Sequence, residues 1–128
     1  MSKRVLTAIL VAAATVPLTA VASAPVQAAT AGCEVHIGLT SKSGNYIKGY
    51  GSKLNCGTGE SWLQIQRKRW YGWEGMGPEV TVRGSGKDVP ISYFCKGTGK
   101  HTWRTRHVMR KLSGDVVFRF SNEIRVTC

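Results

Sequence analysis

Four cysteines, Cys33, Cys56, Cys95 and Cys128, are spread along the chain, and all of them follow an N-terminal segment laid out as an export signal. That segment has a short basic head, Met1-Ser2-Lys3-Arg4, and an apolar, alanine-rich run from Val5 to Val21. Small residues around Ala28 then sit at the spacing a signal peptidase reads. Residues 1–28 are read as a secretory signal peptide cut after Ala28, and residues 29–128 as a single domain, too short for two. A domain of that size buries only about 60–70% of its unfolded surface and needs further support. An even number of cysteines in an oxidising compartment predicts two disulfides. Of the three pairings that four cysteines allow, Cys33–Cys56 with Cys95–Cys128 is preferred. Each would close a local loop and contribute about 3 kcal/mol. There is no C-x-x-C to suggest zinc, and no other cofactor is implied.

The mature domain is strongly basic. Lys3 and Arg4 leave with the signal, so 16 of the 18 lysines and arginines remain against 7 acids, a net charge of +9. Such charge on an exported domain favours polyanions: acidic glycans, cell-wall polymers, nucleic acid or an acidic protein face.

The mature chain reads as strands and turns. Cys33, Val35, Ile37 and Leu39 alternate with polar residues, as in a half-buried strand. Ser41 to Asn45 reads as a turn, and Tyr46 to Leu54, with Gly49 and Gly51, as a bent or bulged strand. Trp62 to Trp70 is the longest candidate, with Leu63 and Ile65 on one face. Gly72 to Pro78 reads as a glycine-rich loop carrying Trp73, and Glu79 to Arg83 as a short strand. Val89 to Cys95 alternates again. Thr102 to Lys111 places Trp103, Thr105, His107 and Met109 on one face and Arg104, Arg106 and Arg110 on the other. Val116 to Phe120 and Ile124 to Cys128 end the chain. No helix is signalled. Seven to eight short strands with regular turns predict an all-β sandwich.

His101 to Arg106 (His-Thr-Trp-Arg-Thr-Arg) resembles the penultimate strand of a fibronectin type III or immunoglobulin-like domain, and Ser121 to Thr127 its final strand. The whole layout is similar to small secreted immunoglobulin-like proteins of Gram-positive bacteria, most of unassigned function. The two disulfides depart from the fibronectin pattern. The resemblance implies an immunoglobulin-like sandwich and little about function, since that fold hosts many. It also implies that the strands bearing Arg67-Lys68-Arg69, Arg104/Arg106 and Arg125 lie side by side in one sheet.

Those residues are the candidate binding set, a basic stripe of Arg67, Lys68, Arg69, Arg104, Arg106 and Arg125 for electrostatic capture. Tyr71 and Trp73 are the candidates for stacking contact. Trp70 and Trp103 are assigned to the core, as a buried tryptophan is a habit of this fold. No enzyme is expected. No G-x-S-x-G occurs, the cysteines are committed, the carboxylates are scattered, and a trio such as His107, Glu74 and Arg106 is not selected by spacing. The glycine pairs are turns rather than phosphate loops, because none opens a helix. The expectation is a secreted, extracellular binding module, without a transmembrane segment, whose basic face captures an anionic polymer or cell-envelope glycan. The alternatives are a protein partner, as inhibitor of a secreted hydrolase or adaptor of a toxin or lectin assembly, and a small basic nuclease or antimicrobial protein. Nucleic acid fits the charge but is not the favoured partner.

Overall fold

The computed structural model describes residues 32–128, so the expected export signal and its cut lie outside the described residues. The described chain forms nine strands: β1 (Glu34–Ile37), β2 (Ser41–Ser43), β3 (Tyr46–Leu54), β4 (Glu60–Arg69), β5 (Gly72–Thr81), β6 (Val89–Phe94), β7 (Lys100–Arg110), β8 (Val116–Phe120) and β9 (Ile124–Thr127). Strand β3 is the centre of a four-stranded antiparallel sheet. Strands β1 and β2 share one of its edges and β6 takes the other. The second sheet runs β5-β4-β7-β8, with β9 pairing the N-terminal end of β7 where β8 leaves off.

The two sheets face each other across one apolar core. Ile47 and Ile91 come from the first sheet, and Leu63, Ile65 and Trp103 from the second, joined by Val82 and Cys95. A smaller cluster of Val35, Cys56 and Met109 sits towards the other end. Period-two alternation explains the assignment: Trp103, Thr105, His107 and Met109 are all fully buried along β7.

The disulfides are Cys33–Cys56 and Cys95–Cys128, the expected pairing. They do different jobs. Cys33–Cys56 extends the β1–β3 ladder just beyond the Glu34–Leu54 pair. Cys95–Cys128 ties the end of β6 to the end of β9, and so one sheet to the other.

Two segments differ from the sequence reading, and the first of them raises the strand number to nine. Ser41–Ser43 is a short strand rather than part of a turn. Gly72–Pro78 is not a loop, because it belongs to the ten-residue strand β5. Its glycines and Pro78 are tolerated because β5 is an edge strand, where a missing N–H need not break a ladder. The irregularity falls between Leu63 and Ile65, which pair with Val80 and Met76. Three β5 residues, Gly77, Pro78 and Glu79, thus stand opposite Gln64 alone, and Gly77 takes φ of 74° there.

A buried polar clamp joins the sheets on the β1/β8 side. Thr40 Oγ1 lies 2.6 Å from Thr105 Oγ1 and 2.7 Å from Ser121 Oγ. Ser121 Oγ accepts from the Thr105 N–H at 2.8 Å and donates to the Asn122 carbonyl at 2.8 Å. One set of hydroxyl orientations satisfies all of these: Thr105 donates to Thr40, Thr40 to Ser121, and Ser121 to the carbonyl. The Asn122 amide completes the clamp by accepting from the Thr40 N–H at 2.7 Å and donating to the Thr40 carbonyl at 3.2 Å.

Gly49 is required by this packing, since a Cβ there would sit on Thr105 Oγ1. Gly49→Ala is therefore expected to destabilise the oxidised domain by about 1–3 kcal/mol in urea unfolding. Gly32→Ala, where a Cβ meets nothing, should leave the midpoint unchanged.

Candidate functional site

The β4–β7 ladder pairs Glu60 with Arg110 through to Arg67 with Trp103 without a register break. Opposed residues share a face. On the face turned away from the core, Trp62 therefore stands beside Val108, Gln64 beside Arg106, and Gln66 beside Arg104. The neighbouring strands extend these rows. Phe118 joins Val108 and Phe120 joins Arg106 from β8, while Gly75 joins Gln66 and Trp73 joins Lys68 from β5. Arg125 of β9 stands beside Thr102 and is exposed.

Arg104 is at the centre of this surface. Its guanidinium carbon lies 4.0 Å from the centroid of Trp73 and 3.9 Å from that of Phe120, so an aromatic ring covers each side. Its Nε donates to Gln66 Oε1 at 2.9 Å. Burial pulls the group below the ordinary arginine value, Glu123 opposes that shift, and Arg106 adds to it. The side chain remains a cation. Beside it, Arg106 Nη2 donates to Gln64 Oε1 at 2.9 Å and lies 3.8 Å from Glu79 at the rim. The Gln64 amide rests against Gly75, where a Cβ would collide with it. Lys68 completes the surface, its Nζ 5.9 Å from the Trp73 ring.

The structure brings together Lys68, Trp73, Arg104, Arg106 and Arg125, and it divides the rest of the expected stripe. Arg67 and Arg69 lie on the opposite face of β4 from Lys68, because neighbours in a strand alternate. There they flank Glu74, with Arg67 Nη2 at 3.1 Å and Arg69 Nε at 3.6 Å from Glu74 Oε2. Arg67 also lies 6.0 Å from the Trp103 ring. Trp103 is in the core as expected, but Trp70 is 94% exposed. Trp70 and Tyr71 form the two-residue turn between β4 and β5, beyond the last buried row, so nothing packs over the indole. Gln64, Gln66, Phe118 and Phe120 were absent from the sequence-derived set. The Val116-x-Phe118-x-Phe120 alternation was their signal, once β8 is hairpinned against β7.

Other polar groups have structural roles. His107 is fully buried, its Nδ1–H donates to the His36 carbonyl at 2.8 Å, and its Nε2 accepts from the Ser61 hydroxyl. Both ring nitrogens are occupied, and Glu74 and Arg106 lie elsewhere, so that trio does not assemble. His101 Nε2 donates to the Thr98 carbonyl at 2.8 Å. The outer face of the four-stranded sheet carries an open groove of about 480 Å³ lined by Leu39, Lys48, Tyr50 and Pro90 among others. Lys48 is the one charge in that lining, whereas Lys68, Arg104, Arg106 and Arg125 gather on the opposite face. No protein-family model, curated protein or solved structure matches the chain.

Burial holds the His107 pKa below its ordinary value, with the His36 carbonyl bond opposing the shift and nearby Lys53 and His36 adding to it. In the unfolded chain the ring binds its proton near pH 6.5; in the folded chain it does so only at lower pH. Below about pH 6.5 the unfolded state therefore holds more protons, and stability falls as the pH drops. Urea unfolding between pH 7.5 and 5.5 should show that decline. His107→Gln is expected to lower stability throughout but to flatten the slope.

Proposed function

We propose that this chain is an exported, non-enzymatic binding module of immunoglobulin-like architecture. Its five-stranded outer face captures an anionic polymer, with an acidic cell-envelope glycan as the favoured ligand. One observation carries the reading: Arg104 is held between Trp73 and Phe120 by Gln66, and among the described residues it forms no ion pair with a carboxylate. A guanidinium fixed in this way loses little freedom on binding, and its planar fork matches a carboxylate or phosphate. Arg106, Lys68 and Arg125 surround it with further positive charge, and the edges of Trp73 and Phe120 offer apolar contact to sugar rings. The disulfides support an oxidising compartment, and among the described residues no helix is long and apolar enough to cross a membrane.

The test uses the mature oxidised domain on immobilised polygalacturonate and on purified wall carrying phosphodiester polymers, with a neutral glucan as control. Binding to the acidic supports should weaken steeply with salt, as neutralised charges release counterions. Arg104→Ala with Arg106→Ala should reduce affinity by roughly tenfold or more, the scale of losing charge-assisted hydrogen bonds. Arg67→Ala, which removes a cation from the other face, should change it far less. Retention that is indifferent to salt and to both arginines would reject the reading.

A further inference from the structure

The hairpin joining β4 to β5 ends in two aromatic residues that the proposed glycan face does not use. Trp70 is 94% and Tyr71 57% exposed, and their rings meet edge to face at 5.3 Å. The turn is short, since Arg69 and Gly72 are still paired behind it. Among the described non-glycine residues only Asn55 has positive φ, so Trp70 and Tyr71 stay on the ordinary side and Gly72, at φ of 127°, absorbs the return. The pair is therefore presented at the tip of two ten-residue strands.

The surroundings of the tip are cationic rather than apolar. Lys68 and Arg69 lie immediately behind it on opposite faces of β4. The β4–β7 register carries Lys100 to the same end of the sheet, and Arg125 follows beside Thr102. Glu74 is the nearest acid in the hairpin, and it is taken up by Arg67 and Arg69. Protein hot spots cluster near the centre of an interface in well-packed, desolvated pockets, whereas this pair stands at a hairpin end with Trp70 almost wholly exposed. Tryptophan and tyrosine with a basic collar instead match the headgroup layer of a bilayer, which accepts an amphipathic ring without demanding a shaped pocket.

We propose that the Trp70–Tyr71 tip is a membrane-contact element that inserts into the headgroup region of an anionic lipid surface, with Lys68, Arg69, Lys100 and Arg125 meeting the lipid phosphates. Two aromatic rings and a few charges give weak, reversible attachment rather than a stable anchor. The element would hold the domain at the surface through Lys68 and Arg125 at the edge of the polymer face, leaving Arg104 and Arg106 open to polymer.

The experiment is co-sedimentation of the mature oxidised domain with equimolar phosphatidylglycerol–phosphatidylcholine vesicles and with phosphatidylcholine alone, alongside acrylamide quenching of tryptophan fluorescence. Binding to the anionic vesicles is expected, with protection of the most accessible tryptophan from quencher. Trp70→Ala with Tyr71→Ala should cut vesicle affinity by roughly tenfold or more and leave polygalacturonate binding unchanged. Arg104→Ala with Arg106→Ala should keep the quenching protection, which separates this site from the glycan face. No binding to anionic vesicles would overturn the proposal, as would binding that persists without the two aromatics. A stoichiometric protein complex that depends on Trp70 and is not displaced by vesicles would assign the tip to a protein pocket instead. Both side chains are exposed, so an unchanged melting curve should accompany the double substitution.

Discussion

The uninterrupted pairing of β4 with β7 is the interaction on which the rest depends. Its eight residue pairs set two surfaces at once, because successive side chains point to opposite sides. The odd-numbered members send Leu63, Ile65, Trp103, Thr105, His107 and Met109 into the interior. The even-numbered members set Gln64 against Arg106 and Gln66 against Arg104 on the outside. A slip of one residue would exchange the two sets, placing arginines in the core and Trp103 in water. The burial of Trp103 thus fixes the position of Arg104, and the positioning of the cation is a by-product of core packing.

Supports away from the ladder act on the assembly of the sheets. Cys95–Cys128 joins the sheets at the end that bears the Trp70–Tyr71 turn, while Cys33–Cys56 closes the β1–β3 end of the four-stranded sheet. Between them the Thr40–Thr105–Ser121–Asn122 clamp satisfies its own polar groups in the space that Gly49 leaves free. Such a network costs little when each member is paired and a great deal when one is not. The same reasoning applies to His107, whose two nitrogens are matched by one acceptor and one donor.

Much of this order was legible in the chain. Alternation alone identified the inward set of β7, and cysteine spacing suggested the local pairing that the structure contains. Four features were not legible, each for a physical reason. The glycines and Pro78 of residues 72–78 look like a loop until β5 is known to be an edge strand, where a bulge and a missing donor are harmless. Arg67-Lys68-Arg69 looks like one patch, yet the pleat separates its middle member from the other two. Trp70 looks like core by analogy with the buried tryptophan of immunoglobulin-like folds, but it falls one residue beyond the last pair of β4, and a turn has no inner face. Phe118 and Phe120 alternate legibly within β8, but only the pairing of β8 with β7 brings them beside Val108 and Arg106.

The most direct measurement is an NMR titration of the oxidised domain with short polygalacturonate oligosaccharides, following the arginine Nε–Hε signals and backbone amides. The account expects shifts concentrated on Arg104, Arg106, Gln64, Gln66, Lys68 and Trp73, with Arg67 and Arg69 quiet on the other face of the same strand. Shifts centred instead on Tyr46, Tyr50 and Phe94 of the opposite sheet, or distributed evenly over all arginines, would contradict it.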